Sequence, residues 1–235
     1  MICAALVTAG GIGKRMGSDV PKQYLDLNGI PVLARTLLTF ERHPLIDLIV
    51  VTVPPGDEDL CRSKIVAPFR IEKVREIVPG GARRQDSVYN GLHRLSDTDL
   101  VAIHDGVRPL VERSVIAATI GAAMNSGAAL AGVPVRETVK RKTDSHVETV
   151  PRSELWLAHT PQTFQTQLIM DAHRSAEKDG FTGTDDAALI ERLGLPVTMV
   201  EDSEENIKIT TREDLKLARL LLNAQEQDIE PNRHG

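Results

Sequence analysis

Short apolar runs alternate along the chain with longer segments in which apolar residues recur at helical spacing. Residues 2–8 form an apolar run without polar alternation, which predicts a strand covered on both faces of a sheet. Further strands are predicted over 46–53, 74–78, 100–104, 128–135, 197–200 and 206–209, and helices over 31–43, 57–66, 84–95, 111–126, 164–178, 184–193 and 212–225. This order predicts an α/β fold with a mostly parallel sheet, helices on both faces and right-handed crossovers.

Residues 136–160 interrupt the alternation. Two charged segments flank a polar turn at 143–146, which predicts a β-hairpin. Such a hairpin buries little within its own domain and is marginal alone, so we expect an arm that packs on a second subunit. We therefore predict one domain over residues 1–227, with 136–160 as a dimerisation arm, and a disordered tail over the polar residues 228–235.

Composition and charge argue against nucleic acid and membranes as partners. The chain has 235 residues, 41% of them hydrophobic, and a formal net charge of -5. An acidic surface gives no general attraction to nucleic acid, so an anionic substrate must be held by a local cluster of cations. We find no signal-peptide pattern and no apolar run of membrane-spanning length, and we expect a cytoplasmic protein with two free cysteines.

A glycine-rich loop follows the first strand and contains Ala9, Gly10, Gly11 and Gly13, with the cations Lys14 and Arg15 beside them. Closely spaced glycines let backbone N–H groups approach a ligand at the carboxyl end of a strand, where open α/β sheets bind ligands. The spacing matches neither the dinucleotide fingerprint nor a Walker A loop. The loop indicates a polyphosphate site, with a turn carrying solvated charges as the alternative. Pro21 stiffens the backbone directly before Lys22, which favours the polyphosphate site.

A second glycine pair, Gly80 and Gly81, precedes the helix predicted from residue 84. These glycines again allow backbone to approach a flat or anionic ligand. The alternative is that Asp86 or Ser87 only serves the start of the helix.

Asp105 closes the strand predicted over residues 100–104 and faces the same crevice as the first loop. One carboxylate together with substrate phosphates is a typical ligand set for Mg²⁺. An ion pair between Asp105 and Arg108 that shapes the loop is the compatible alternative.

Taken in order, these motifs resemble those of the polyol-phosphate cytidylyltransferases. The run GGIGKRMGSDVPKQY and residues 80–88, similar to GG-x-x-R-x-x-SV, carry most of the resemblance. Residues 184–186 resemble the family's Thr-Asp-Asp/Glu, residues 206–210 its Asn-Ile-Lys-Val/Ile-Thr, and the match extends from residue 2 to about 222. The resemblance implies a Rossmann-like fold of the nucleotide-diphospho-sugar transferase type, and CMP transfer from CTP to 2-C-methyl-D-erythritol 4-phosphate. Gly106 and Val107 depart from the family's usual His-Asp-Ala-Ala-Arg-Pro, which weakens the assignment of the acceptor.

The resemblance also implies individual roles. It makes Arg15, Lys22, Arg152 and Lys208 catalytic, and places Ala9, Gly10, Gly11, Gly13, Gly80, Gly81, Ser87 and Asp105 at the nucleotide. It places Asp105, Arg108, Thr138, Thr160 and Thr184 at the polyol phosphate, with Asp105 as the ligand of Mg²⁺ or another divalent cation. In the family the arm of one subunit of a homodimer completes the active site of its neighbour.

Three other functions remain open from the sequence. The nearest is a cytidylyltransferase for another polyol phosphate such as ribitol 5-phosphate, which Val107 favours and residues 85–88 disfavour. The Pro-Lys-Gln-Tyr run and the hairpin argue against a hexose-1-phosphate nucleotidyltransferase. A non-catalytic nucleotide sensor is disfavoured because every charged motif residue is present.

Overall fold

The computed structural model describes residues 1–11 and 21–229. The strands within these ranges are β1 (Cys3–Thr8), β2 (Asp26–Leu27), β3 (Ile30–Pro31), β4 (Leu48–Val53), β5 (Val74–Pro79), β6 (Leu100–Asp105), β7 (Ala128–Pro134), β8 (Val139–Lys142), β9 (Val147–Val150), β10 (Trp156–Gln165) and β11 (Thr198–Glu201). The α-helices are α1 (Val32–Glu41), α2 (Glu58–Cys61), α3 (Arg84–Leu92), α4 (Arg113–Ser126), α5 (Thr166–Lys178), α6 (Ala187–Arg192) and α7 (Arg212–Ile229). In the same ranges, no helix combines the length and the apolar character needed to cross a bilayer.

Seven strands form the main sheet in the order β11-β7-β10-β6-β1-β4-β5. Strand β1 pairs in parallel with β4 and β6, and β4–β5 and β7–β11 are also parallel pairs. Only β10 runs antiparallel among these seven strands, between β6 and β7. The predicted mostly parallel sheet is therefore confirmed.

Alternate residues of β1 pack on opposite faces of the sheet, as the period of a strand requires. Ala5 and Val7 belong to one buried cluster with Leu33, Leu37 and Phe40 of α1. Ala4 and Leu6 belong to a second cluster, which includes residues of α3 and α5. Both faces are covered by helices, as the continuously apolar run predicted.

The predicted hairpin is present as β8 and β9. Its strands pair antiparallel from Val139 opposite Val150 to Lys142 opposite Val147. The turn closes through a hydrogen bond from the N–H of Thr143 to the carbonyl of His146, 2.9 Å long. The strand residues are exposed or half-buried, so the arm adds little to the core.

The structure differs from several of the predicted elements. Residues 156–165 form strand β10 rather than the end of the arm and the start of a helix, so α5 begins at Thr166. Residues 206–209 form no strand, because Asn206 is buried among side-chain and loop hydrogen bonds instead of pairing with the sheet. Helix α6 begins at Ala187 and not at residue 184, and α7 continues to Ile229, inside the predicted tail. The rest of that tail lies outside the described residues.

Candidate active site

A cavity of about 250 Å³ opens at the carboxyl ends of β1 and β6. Its lining comes from the segment after β1, from the turn before α3, from the end of β6 and from the segment before α7. The lining residues are Thr8, Ala9, Gly10, Gly11, Lys22, Gln23, Gly81, Ala82, Arg83, Arg84, Ser87, Asp105, Val107 and Lys208. The topology thus brings distant sequence motifs together where open α/β sheets bind ligands.

Ser87 lies where the two glycine segments meet. Its Oγ accepts a hydrogen bond from the N–H of Gly81 at 3.0 Å and donates one to the carbonyl of Arg83 at 3.0 Å. A Cβ built on Gly80 would lie 2.9 Å from this Oγ, and one built on Gly10 would lie 3.4 Å away. The close approach therefore needs glycine at residue 80. Asp86, which accepts from the N–H of Arg83, serves the start of α3, so Ser87 is left to line the cavity.

Asp105 is buried at the floor of the cavity and contacts three cations. Its carboxylate lies 2.8 Å from Nζ of Lys208, 3.1 Å from Nε of Arg84 and 3.5 Å from Nε of Arg108. Burial alone would raise the pKa of Asp105, but the charges of Arg84, Lys208 and Arg108 outweigh it and hold the pKa well below its usual range. Asp105 is therefore ionised at neutral pH, and the suggested pair with Arg108 is part of a larger cluster.

Thr160 holds the backbone of Asp105 and the ring of His104 through hydrogen bonds. Its Oγ1 accepts a hydrogen bond from the N–H of Asp105 at 3.1 Å and lies 3.0 Å from Nδ1 of His104. Nε2 of His104 lies 3.1 Å from the carbonyl of Arg108, which can only accept, so this nitrogen carries the proton and Nδ1 accepts from Thr160. Burial lowers the pKa of His104 to about 4. The ring is thus a neutral, fixed support for the turn after β6.

Arg84 and Asp186 form a buried ion pair to which the sequence assigned no role. Nη1 of Arg84 lies 2.7 Å from Oδ2 of Asp186, whose side chain is 1% exposed. Burial raises the pKa of Asp186, and the charge of Arg84 opposes this rise. Burial disfavours the charge of Arg84, but Asp186 and Asp105 together raise its pKa. Arg84 is the arginine of the motif GG-x-x-R, and Asp186 is the last residue of the Thr-Asp-Asp run. Their positions in these two motifs were the sequence signal that could have identified them as site residues.

Six predicted site residues are not part of the cavity lining: Gly80, Arg108, Thr138, Arg152, Thr160 and Thr184. Arg108 is buried and donates from Nη1 to the carbonyl of Asn206 at 2.5 Å. Thr184 is exposed before α6. Thr138 and Arg152 are exposed in and beside the arm, where Nη1 of Arg152 donates to the carbonyl of Arg136. Gly13 and Arg15 lie outside the described residues.

The electrostatics and the donors fit a phosphate ligand with a bound cation. Four cationic side chains line the cavity, those of Lys22, Arg83, Arg84 and Lys208. Asp105 is the one carboxylate in the described lining, and no group of three or more His, Cys, Asp or Glu side chains within residues 1–11 and 21–229 is arranged around a metal. This donor set fits Mg²⁺ that takes most of its ligands from phosphates and water.

Comparisons with known proteins cover most of the chain. The profile of the 2-C-methyl-D-erythritol 4-phosphate cytidylyltransferase family matches residues 3–224. Proteins of that name from Syntrophotalea carbinolica and Syntrophus aciditrophicus are 50% identical over 221 residues and 49% identical over 225 residues. These alignments cover 93% and 94% of this chain, and 95% and 96% of the relatives.

Solved structures agree with the sequence comparisons. The 4-diphosphocytidyl-2C-methyl-D-erythritol synthase of Anaerococcus prevotii superposes with a TM-score of 0.83 at 32% identity, covering 94% of this chain and 96% of that one. The 2-C-methyl-D-erythritol 4-phosphate cytidylyltransferase of Thermus thermophilus gives a TM-score of 0.78 at 34% identity, covering 94% and 98%. The similarity is therefore one of sequence and of fold over nearly the whole chain.

Proposed function

This chain belongs to the 2-C-methyl-D-erythritol 4-phosphate cytidylyltransferase family, and from that premise we propose that its cavity binds CTP at the carboxyl ends of β1 and β6. The enzyme transfers CMP from CTP to 2-C-methyl-D-erythritol 4-phosphate, a step in non-mevalonate isoprenoid precursor synthesis. The products are 4-diphosphocytidyl-2-C-methyl-D-erythritol and pyrophosphate.

The reaction is an in-line displacement at phosphorus. A phosphate oxygen of the polyol phosphate attacks the α-phosphorus of CTP, and the bond to the departing pyrophosphate breaks. Such transfers depend on positioning and on cations where negative charge develops, and they need no protein nucleophile. The observation that carries the proposal is the convergence of the glycine loop, Lys22, Ser87, Asp105 and Lys208 on one cavity.

Each end of the cavity is assigned to one part of the nucleotide. We assign the cytosine to Gly80, Gly81 and Ser87, since Gly81 and Ser87 line the cavity and a Cβ built on Gly80 would lie 2.9 Å from the Oγ of Ser87. We assign the triphosphate to the segment of Ala9, Gly10, Gly11 and Gly13, with Lys22 and Arg15 as its cations. Lys22 lines the cavity within 3.7 Å of a Cβ built on Gly11, which supports its share of this role.

The polyol phosphate is assigned to the side of the cavity near Lys208. Lys208 is 38% exposed while its Nζ contacts Asp105, so it is positioned and still accessible to substrate. Arg108 and Thr160 are buried, so their contribution is to hold the turn that carries Asp105. Thr138, Thr184 and Arg152 complete the acceptor site, with Arg152 as the catalytic cation.

Asp105 is the residue assigned to the metal. Asp105 and the CTP phosphates would hold Mg²⁺, which when bound supplies positive charge at the phosphate oxygens. The protein itself contributes the carboxylate, kept ionised by Arg84, Arg108 and Lys208.

The arm is assigned to a homodimer. Thr138 and Arg152 are exposed in this chain, and no described residue of the arm lines the cavity. An exposed polar hairpin that contacts little of its own domain is suited to reach the cavity of a second copy.

Two buried free cysteines are in keeping with a reducing compartment such as the cytoplasm, which we propose as the location.

The test is pyrophosphate release from CTP and Mg²⁺ with three acceptors in parallel: 2-C-methyl-D-erythritol 4-phosphate, ribitol 5-phosphate and glucose 1-phosphate. We expect release with the first acceptor and background with the others. Release with ribitol 5-phosphate at an equal kcat/KM would overturn the assigned acceptor specificity. Silence with all three acceptors would favour a nucleotide sensor.

A further inference from the structure

Arg84 bridges two carboxylates that come from different parts of the chain. Its Nε lies 3.1 Å from Oδ1 of Asp105, and its Nη1 lies 2.7 Å from Oδ2 of Asp186. Arg84 lines the cavity, while Asp186 lies behind it with 1% of its side chain exposed. The row Asp186–Arg84–Asp105 therefore extends from the protein interior to the cavity.

Asp186 is held in place independently of Arg84. Oε1 of Gln162 in β10 accepts hydrogen bonds from the N–H groups of Asp186 and Ala187, each 3.0 Å long. The preceding residues are fixed as well, since Oε1 of Gln85 accepts from the N–H of Gly183 at 3.0 Å. Asp186 thus presents its carboxylate to Arg84 from a rigid segment.

The other side chain near Asp186 does not neutralise it. Nε2 of His173 lies 4.0 Å from Oδ1 of Asp186, and His173 stacks on Tyr89 with its ring centroid 5.3 Å away. Burial lowers the pKa of His173 to about 4, so the ring is neutral at pH 7. Arg84 is therefore the group that balances the buried carboxylate, and a buried pair of this kind is costly to separate.

We propose that Asp186 is a positioning residue that acts through Arg84 to fix the carboxylate of Asp105 in the cavity. With Nη1 held by Asp186, Arg84 reaches Asp105 through Nε and binds Oδ1, which leaves Oδ2 to Lys208 and Arg108. Without Asp186, the guanidinium is free to form a two-pronged pair with Asp105 and to compete with Lys208 for the same carboxylate. The inference rests on the role proposed above for Asp105.

The experiment compares Asp186→Asn with the control variant Asp179→Asn. Asp179 forms an ion pair with Arg192 of α6 and lies outside the cavity lining. We expect Asp186→Asn to lower kcat roughly 10- to 100-fold, because displacing a positioned group by about 1 Å has effects of that order. KM for CTP should change less than kcat in Asp186→Asn, since Lys22 and the glycine segments assigned to the nucleotide keep their positions. Asp179→Asn should keep kcat within about 3-fold, because the ion pair that it breaks does not reach Asp186 or the cavity.

A double-mutant cycle with Arg84→Lys separates positioning from folding. Lysine keeps the charge beside Asp186 but cannot bridge two carboxylates, so this variant should fold and should lose kcat about as much as Asp186→Asn. Because both changes break one bridge, the double variant should be no slower than either single variant. Additive losses, a normal kcat in Arg84→Lys, or an equal loss in Asp179→Asn would overturn the proposal.

Asp105→Asn, measured in the same assay, separates the proposed role of Asp105 at the site from the positioning role of Asp186. An inactive Asp105→Asn beside a fully active Asp186→Asn overturns the positioning role and leaves the proposed site intact. Full activity of Asp105→Asn would overturn both. Circular dichroism at the assay temperature confirms that each variant is folded.

Discussion

Asp105, assigned to the metal and the nucleotide, and Arg152, assigned to the polyol phosphate, have opposite surroundings. Asp105 is buried and held by three cations, by the hydroxyl of Thr160 and by the support of His104. Arg152 is exposed and donates a hydrogen bond to the carbonyl of Arg136. A group held in place by its own chain loses little conformational freedom on binding substrate, whereas an exposed arginine loses much more.

This contrast indicates a site made of two parts. The nucleotide part is positioned by one chain through β1, β6 and the turn before α3. The arm carries the residues proposed for the acceptor, Thr138 and Arg152, which its own chain leaves exposed, so under this proposal a second subunit orders them. Catalytic geometry needs positions fixed to within about 0.5 Å, which an unsupported hairpin does not provide.

The largest effect is expected from Lys22→Ala in the nucleotide part. Removal of a cation at the triphosphate should lower kcat by about 10²- to 10³-fold, since such groups stabilise charge that develops in the transition state. Steady-state kinetics with saturating CTP measures this loss. Lys178→Ala, at an exposed lysine of α5, is the control and should match wild type. Near-normal turnover of Lys22→Ala would remove this residue from the mechanism.

Arg152→Ala tests the arm in the same assay. We expect kcat/KM for the polyol phosphate to fall by up to about 10²-fold while KM for CTP is unchanged, because only the acceptor loses a positioning contact. Arg141→Ala is the matched control within the arm, since Arg141 pairs with Glu148 at 2.8 Å. If both variants give the same kcat/KM for the polyol phosphate, the proposed role of Arg152 at the acceptor is contradicted.

Acid should weaken the cavity side of the molecule through His104. Its pKa falls from 6.5 to about 4 on folding, so the unfolded chain takes up the proton first as pH drops. The associated stability, about 3 kcal/mol, is complete above pH 6.5 and is lost as pH falls toward 4. Chemical denaturation at several pH values measures it, and His104→Gln should flatten the dependence while His173 retains its own share. An unchanged slope in that variant would contradict this assignment.

The smallest effect is expected from the ion pair on the arm. Arg141 and Glu148 are 66% and 45% exposed, so water screens their interaction. Arg141→Ala should change the free energy of unfolding by less than about 0.5 kcal/mol. A loss above about 2 kcal/mol in urea denaturation would show that the arm is integrated into the fold. The difference between a buried, well-held cavity and an exposed arm would then be contradicted.

The elements that depend on local sequence patterns could be predicted. Strand β10, which depends on pairing with residues far away in the chain, was missed. The apolar run of β1 and the polar turn of the arm follow from nearest-neighbour patterning. Strand β10 does not, because its first residues are exposed and Pro161 lies within it, which argues against a central strand. The register of β10 against β7 shifts between Ala158 and Gln162, and this irregularity accommodates the proline.

The site was predictable in the same way. Gly10, Gly81, Ser87, Asp105 and Lys208 stand in recognisable motifs, and the structure brings them to one cavity. The bridge from Asp186 through Arg84 joins residues far apart in the chain, and neither residue signals the other in the sequence. A buried contact of this kind follows from topology, which periodicity does not encode.

The most direct test of the two-part site is complementation between Lys22→Ala and Arg152→Ala subunits. Each homodimer alone should be nearly inactive, with native mass spectrometry confirming that mixed dimers form. If the arm completes the neighbour's cavity, equal mixing should restore roughly a quarter of wild-type activity, since half of the dimers are mixed and each has one intact site. If mixed dimers form and activity stays at the level of the parents, each arm serves its own chain, and the account is contradicted.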